Sequence, residues 1–213
     1  MTGLWTGVRE RVLALREAPG ARQVFGADPD RSGHGFLLRP PLTEDVLAAG
    51  ERAMGVRLPE DYRCFLLEVA AGGAGPDYGL FPVQRFDGAR AAEAAVPFVP
   101  VVDEPPEPER ADFADDAAFQ QAWADYERLV LDEMHDRADH GTVMLGHQGC
   151  GYYTLLVVSG PERGTVWDDV RAVGEWIVPR ERPDGSRVSF ADWYLDWLER
   201  AEGRARGGGS PAR

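Results

Sequence analysis

Hydrophobic positions recur at helical spacing in four parts of the chain. Near the N-terminus, Leu4, Val8, Val12 and Leu15 share one face of a helix predicted from about Leu4 to Arg16. The other stripes predict a helix capped by Thr43 and ended by Gly55, a helix opened by Pro59 and stopped by Gly72 and Gly73, and a helix capped by Ser189. Their apolar positions are Val46, Leu47, Ala53 and Met54; Tyr62, Phe65, Leu66 and Val69; and Phe190, Trp193, Tyr194, Trp197 and Leu198.

The period changes in the second half of the chain, where short β-prone runs are separated by turn residues. They predict strands at about Thr142–Leu145, Tyr152–Val158, Thr165–Trp167 and Glu175–Val178, with residues 159–164 as a hairpin connection. A further strand is predicted at about Leu80–Phe86. Helices followed by a meander of strands and a closing helix indicate an α+β fold with a mostly antiparallel sheet flanked by helices.

One internal segment carries most of the net charge. The 213-residue chain has a net charge of −13, and residues 103–139 alone hold 13 acidic residues and 3 arginines. Three prolines among the acids predict an exposed linker over residues 103–116. Phe119, Trp123, Tyr126 and Val130 then recur at helical spacing and predict a helix from about Asp116 to Arg137.

This charge excludes some classes of function. A nucleic-acid binder needs a basic patch for the phosphates, so direct nucleic-acid binding is not expected. No apolar run approaches the roughly 18 residues of a membrane span, and the N-terminus is typical of an amphipathic helix rather than a signal peptide. The two cysteines, Cys64 and Cys150, are too few for a disulfide framework, which favours a cytoplasmic location. The sequence carries no signal for a particular oligomeric state.

Three motifs resemble the SUKH superfamily, which groups yeast cell-wall-assembly regulators (SMI1/KNR4-like) with bacterial immunity proteins. They are MGVRLPEDYRCFLLEVAAGGAGPDYGLFPV (residues 54–83), GYYTLLVVSGPERGTVWDD (residues 151–169) and SFADWYLDWLE (residues 189–199). The resemblance implies a single domain over residues 1–202, with its core at about 40–102 and 140–200. Residues 103–139 are then an acidic helical insertion, and residues 203–213 a disordered tail.

The resemblance also implies a non-catalytic binding protein, an immunity factor that neutralises a basic toxin domain such as a nuclease or deaminase. The alternatives are a cytoplasmic adaptor or regulator with the same fold, and a small metal-dependent enzyme using His147 and Cys150. The histidines and cysteines form pairs rather than the sets of three or four ligands that zinc needs, so we expect no metal, no cofactor and no catalytic residues.

Candidate partner-binding residues come from three places. Asp77 and Tyr78 lie at the tip of a glycine-rich turn, where a structural role and a role in a binding groove are equally compatible with the sequence. Trp167 ends a predicted strand and is either core, which its pattern favours, or an anchor for a partner. The full set of candidates is Asp77, Tyr78, Asp112, Asp115, Asp116, Trp167 and Asp168.

Overall fold

A computed structural model describes residues 3–82, 89–101 and 104–207. Its α-helices are α1 (Val8–Ala14), α2 (Glu44–Met54), α3 (Glu60–Glu68), α4 (Ala89–Glu93), α5 (Asp116–Glu127), α6 (His135–Arg137) and α7 (Phe190–Arg206). Its strands are β1 (Thr142–Gly149), β2 (Tyr152–Val157), β3 (Val166–Asp169) and β4 (Ile177–Pro179). Short 3₁₀ turns occur at Leu15–Glu17, Ala21–Gln23, Pro29–Arg31, Arg110–Asp112 and Arg171–Val173.

The four strands form one antiparallel sheet in the order β1-β2-β3-β4. This confirms the predicted α+β class and the predicted meander. The prediction of a strand at Leu80–Phe86 is wrong over its described part, because Leu80 forms only an isolated bridge to Gly73. The rest of that prediction, from residue 83 onward, lies outside the described residues.

The sheet has an apolar layer on each face, since successive side chains of a strand point to opposite sides. Leu156 and Val158 join the main core, whereas Leu155 and Val157 join a second, smaller cluster. That second cluster also contains Phe98, Ala138, Trp167 and Ile177. Ala138 comes directly after α6, so the end of the acidic insertion helps to cover the second face.

The main core is centred on aromatic side chains of α3 and α7. Phe65 is fully buried, and its ring centroid lies 5.2 Å from Trp5, 5.1 Å from Phe190 and 4.6 Å from Tyr194. Trp5 is buried and its indole N–H donates to the carbonyl of Asp61 at 2.9 Å. The predicted N-terminal stripe is therefore wrong at its first position, because Leu4 is exposed and Trp5 packs in its place.

The capping of α2 and α7 agrees with the sequence patterns. Thr43 accepts a hydrogen bond from the Val46 N–H, and Gly55 ends α2 in a left-handed conformation at φ 67°. Val46 itself is exposed, so the apolar stripe of α2 is narrower than predicted. Ser189 accepts a hydrogen bond from the Asp192 N–H at 3.1 Å and begins α7.

The predicted disordered tail begins too early. Helix α7 continues to Arg206, with Ala201 and Ala205 buried against the N-terminal segment. There the N–H of Gly20 donates to the carbonyl of Ala205 at 3.0 Å. A Cβ at Gly20 would lie 2.8 Å from the carbonyl oxygen of Arg204, so only glycine permits this approach without a shift of backbone. Residues 208–213 lie outside the described part of the chain.

The acidic insertion is helical from Asp116 to Arg137, as predicted. The run is not uniform, because Arg128–Met134 is π-helical between α5 and α6. Val130 is 1 % exposed, whereas Leu129 and Leu131 on either side are exposed. The start of the insertion, by contrast, is extended with one short 3₁₀ turn, in agreement with a linker.

No helix within the described residues is both long and apolar enough to cross a membrane.

Candidate functional site

The glycine-rich turn of residues 73–80, which follows α3, is held by backbone hydrogen bonds. Gly73 and Leu80 exchange both of theirs, at 3.0 and 2.6 Å, and the Gly79 N–H donates to the carbonyl of Pro76 at 2.9 Å. Gly26 packs directly on this turn, since a Cβ there would lie 1.6 Å from the carbonyl oxygen of Asp77. Asp77 itself has a left-handed backbone with φ 54°, which few residues other than glycine adopt. The position of Asp77 is thus fixed by its surroundings.

The carboxylate of Asp77 is half-buried and has no hydrogen bond or ion pair with any residue that the structure describes. Burial raises the pKa of this carboxyl group above its ordinary value, the charge of Arg180 opposes that rise, and the charge of Asp168 adds to it. His147 and Arg200 are also close enough to lower this pKa. Asp77 therefore lies among charged groups without being paired to one.

Tyr78, the other turn residue predicted from the sequence, belongs to an aromatic wall. We use this name for Phe25, Tyr78, Phe81 and His147. The rings of Tyr78 and His147 stack with centroids 4.7 Å apart and planes 5° from parallel, and Phe81 stacks on His147 at 5.8 Å. Phe25 packs edge-on against Tyr78 at 5.4 Å and is 55 % exposed. An apolar ring is thus presented to solvent beside Asp77.

Asp168, whose charge acts on Asp77, lies at the edge of a polar cleft of about 460 Å³ between β4 and α7. Its Oδ1 accepts hydrogen bonds from Gln148 at 2.6 Å and from Arg180 at 2.8 Å, so this carboxylate already has a cationic partner. Residues of α7 form the opposite wall of the cleft. Its lining includes Asp168, Arg180, Val188, Trp193, Asp196 and Arg200. The structure therefore brings Asp77, Tyr78 and Asp168 together, as members of one site.

Trp167 does not belong to that surface. It is 2 % exposed, its ring lies 4.9 Å from Phe98, and its indole N–H donates to the Thr165 hydroxyl at 2.8 Å. The side chain is part of the second cluster, which is the core role that its pattern favours, and the prediction of Trp167 as a partner contact is wrong.

The three candidate acids of the insertion lie apart from Asp77, with no described contact linking the two groups. All three are exposed. Asp115 caps α5 by accepting from the Ala118 N–H at 2.9 Å, and Asp116 pairs with Arg110 at 2.6 Å. The side chain of Asp112 forms no hydrogen bond or ion pair with another described residue. Of these three side chains, only that of Asp112 neither caps a helix nor forms an ion pair with a described residue.

The insertion also carries aromatic side chains in a row. Phe113, Phe119, Trp123 and Tyr126 are partly exposed, and neighbouring rings have centroids between 5.6 and 6.3 Å apart. We call this set the aromatic row. The Tyr126 hydroxyl and the Trp176 indole N–H both donate to Glu104, each at 2.8 Å, and so tie the row to the sheet.

The residues considered for metal chemistry do not assemble into a ligand set. Within the described ranges, no group of three or more histidine, cysteine or acidic side chains is placed to hold a metal ion. His147 stacks on Tyr78, and Cys150 is exposed in the β1–β2 turn with φ 52°.

Sequence reasoning missed Phe25, Arg180 and Arg200, which come from elements far apart in the chain. It also missed His34, whose burial lowers its pKa to about 4. His34 Nδ1 accepts from the Phe36 N–H at 3.0 Å, while its Nε2 has no described partner. The sequence GHGF, in which glycines flank the histidine and a phenylalanine follows, could have indicated that His34 is buried.

Comparison with known proteins agrees with the fold and the motifs. No curated protein matches the chain, and no solved structure matches it. A family model does match, over residues 41–200, which is most of the chain and includes Asp77, Tyr78 and the whole sheet. The chain belongs to the SMI1/KNR4 family (SUKH-1).

Proposed function

We propose that this chain is a non-catalytic immunity protein that binds a basic toxin domain, such as a nuclease or deaminase, and neutralises it by covering its surface. The family assignment supports a protein-binding role. The observation that carries the proposal is the acidic insertion, which combines high negative charge with partly exposed aromatic rings.

Charge and aromatic surface serve different steps of binding. The net −10 of residues 103–139, from 13 acids and 3 arginines, attracts a basic partner over long range and speeds association. The aromatic row then offers large, rigid side chains, of the kind that dominate interface energies. Leu131, which is 54 % exposed, adds apolar surface nearby. A basic substrate-binding face on a toxin is complementary to this surface.

The first test is neutralisation. Toxin domains encoded next to this gene in its native genome would be expressed in a host cell with and without the chain. We expect growth to be restored only when the chain is present. Failure to protect against any of them, although the chain is expressed and folded, would contradict immunity and leave the adaptor role.

The second test addresses the insertion. Asp112 and Asp132 are exposed and their side chains have no described partner, so Asp112→Arg with Asp132→Arg should leave the fold intact. The matched control reverses Glu17 and Glu199, two exposed acids outside the insertion, and changes the net charge equally. We expect the insertion variant to slow association with the toxin about tenfold at low salt, and the control to slow it less. Equal slowing would show that only the overall charge matters.

A further inference from the structure

Asp77 offers an unpaired carboxylate at a rigid position. Backbone hydrogen bonds on both sides fix the turn, and the close approach of Gly26 leaves its main chain no room to move. A carboxylate that is buried to this extent usually has a hydrogen-bond or ion-pair partner, because burial of an unpaired charge is unfavourable. Here no described residue provides one.

The nearby cations are not used for this purpose. Arg180 donates to Oδ1 of Asp168 at 2.8 Å, and Gln148 donates to the same oxygen at 2.6 Å. Arg200 is exposed on α7 and forms no ion pair within the described part of the chain. Asp168 adds negative charge near Asp77, and the charges of Arg180, which directly follows β4, of Arg200 on α7 and of His147 on β1 act on it in the opposite sense. Asp77 is therefore left available to a cation from outside.

The aromatic wall provides a second and independent feature. Phe25 is 55 % exposed and packs edge-on against Tyr78, the residue next to Asp77. Solvent-exposed aromatic faces attract cations, and the planar guanidinium group stacks on them better than a lysine ammonium does. Tyr78 directly follows Asp77, so the aromatic wall adjoins the turn that carries the carboxylate, and this combination is suited to a guanidinium group.

We infer that Asp77, with Tyr78 and Phe25 beside it, binds the guanidinium group of an arginine side chain presented by the partner protein. The carboxylate accepts charge-assisted hydrogen bonds, and the aromatic wall packs against the planar group. This inference deepens the proposed function and rests on it for the identity of the partner. It places a point of contact outside the acidic insertion.

The chemistry is testable without any toxin. N-acetyl-L-argininamide would be titrated into the isotope-labelled protein at neutral pH while the NMR signals of backbone amides and side-chain carboxyls are followed. N-acetyl-L-citrullinamide, a neutral analogue of similar shape, and N-acetyl-L-lysinamide serve as comparison ligands. We expect saturable shifts at Phe25, Asp77 and Tyr78, binding about tenfold weaker for the citrulline compound, and a lower pKa of the Asp77 carboxyl in the presence of the arginine compound.

Two variants make the test specific. Asp77→Asn keeps the left-handed turn, which asparagine tolerates, and should weaken binding about tenfold. Asp112→Asn, an exposed acid of the insertion, should leave it unchanged. Equal binding by Asp77→Asn and the unmodified chain would overturn the inference, as would shifts confined to residues 104–139. A lysine compound that binds as tightly as the arginine compound would overturn the assignment to a guanidinium.

Arg200 is the internal competitor for Asp77. If it occupied the carboxylate in solution, the pKa of Asp77 in the free protein would lie below its ordinary value, and that result would also overturn the inference.

The outcome is independent of the neutralisation assay. Loss of argininamide binding in Asp77→Asn, together with no protection by the unmodified chain, would support the site and contradict immunity. Protection that Asp77→Asn retains in full, with no argininamide binding to any form, would support immunity and overturn the site.

Discussion

Replacing Phe65 with alanine should destabilise the protein strongly, because this side chain joins α3, α7 and the N-terminal residue Trp5. Phe65 is fully buried and its ring contacts Trp5, Phe190 and Tyr194. Removing a buried phenylalanine loses its transfer free energy and leaves a cavity that the surrounding rings fill only in part. The expected cost is about 3–5 kcal/mol in the free energy of unfolding.

Phe25→Ala is a matched control, since it deletes the same atoms from a side chain that is 55 % exposed. We expect this variant to lose less than about 1 kcal/mol. Urea unfolding followed by circular dichroism and by tryptophan fluorescence gives both values, with equal slopes required for a valid comparison. Two variants of similar stability, or a loss below about 1 kcal/mol for Phe65→Ala, would refute the register of α3 and the packing of α7 on it.

Two further predictions concern stability. Because burial lowers the pKa of His34 from its ordinary value of 6.5 to about 4, the folded state resists the proton that the unfolded state binds. Stability should therefore be full above pH 6.5 and fall by about 3 kcal/mol as the pH drops to about 4; His34→Asn should flatten this fall in urea titrations, and an unchanged pH profile would contradict it. Deletion of residues 104–138 should leave a cooperative domain that is about 2–3 kcal/mol less stable, because it removes buried Val130 and Ala138. An unaltered melting curve would show that the insertion does not support the sheet.

Local signals predicted the helices well. Caps such as Thr43 and Ser189 act within three residues, so their pattern is visible in the sequence itself. Over its described part the strand predicted at Leu80–Phe86 is wrong, because Leu80 bonds to Gly73 and Phe81 donates to Leu145, contacts that no local pattern contains. Val46 is exposed for a similar reason, since the width of an apolar stripe depends on what packs against it.

The candidate site was only partly visible in the sequence. The sequence indicated Asp77 and Tyr78 because the glycines on either side of them predict a tight turn, at whose tip these two side chains lie. Arg180 reaches Asp168 through the β3–β4 pairing, in which Asp168 lies opposite Val178, and that register is a property of the folded sheet. Phe25 reaches Tyr78 only because the N-terminal segment packs on the turn.

The insertion has two parts with different constraints. Its C-terminal part is fixed to the sheet: Arg171 donates to the carbonyl of His135 at 2.8 Å and holds Asp169 with two hydrogen bonds of 2.9 and 2.6 Å. Burial alone would raise the pKa of Asp169, but these bonds outweigh it and the pKa is lowered.

The part around α5 has no such anchoring in the two apolar clusters, and its aromatic row remains partly exposed. Substitutions there change charge and apolar surface with little effect on packing, because exposed positions outside caps and ion pairs contribute little to stability. The turn at Asp77 is the opposite case, since its backbone leaves almost no freedom to vary. A partner recognised by both surfaces would meet one variable contact on the insertion and one fixed contact on the domain. We then expect the insertion to determine specificity between related partners. The arginine contact at Asp77 is expected to be common to all of them.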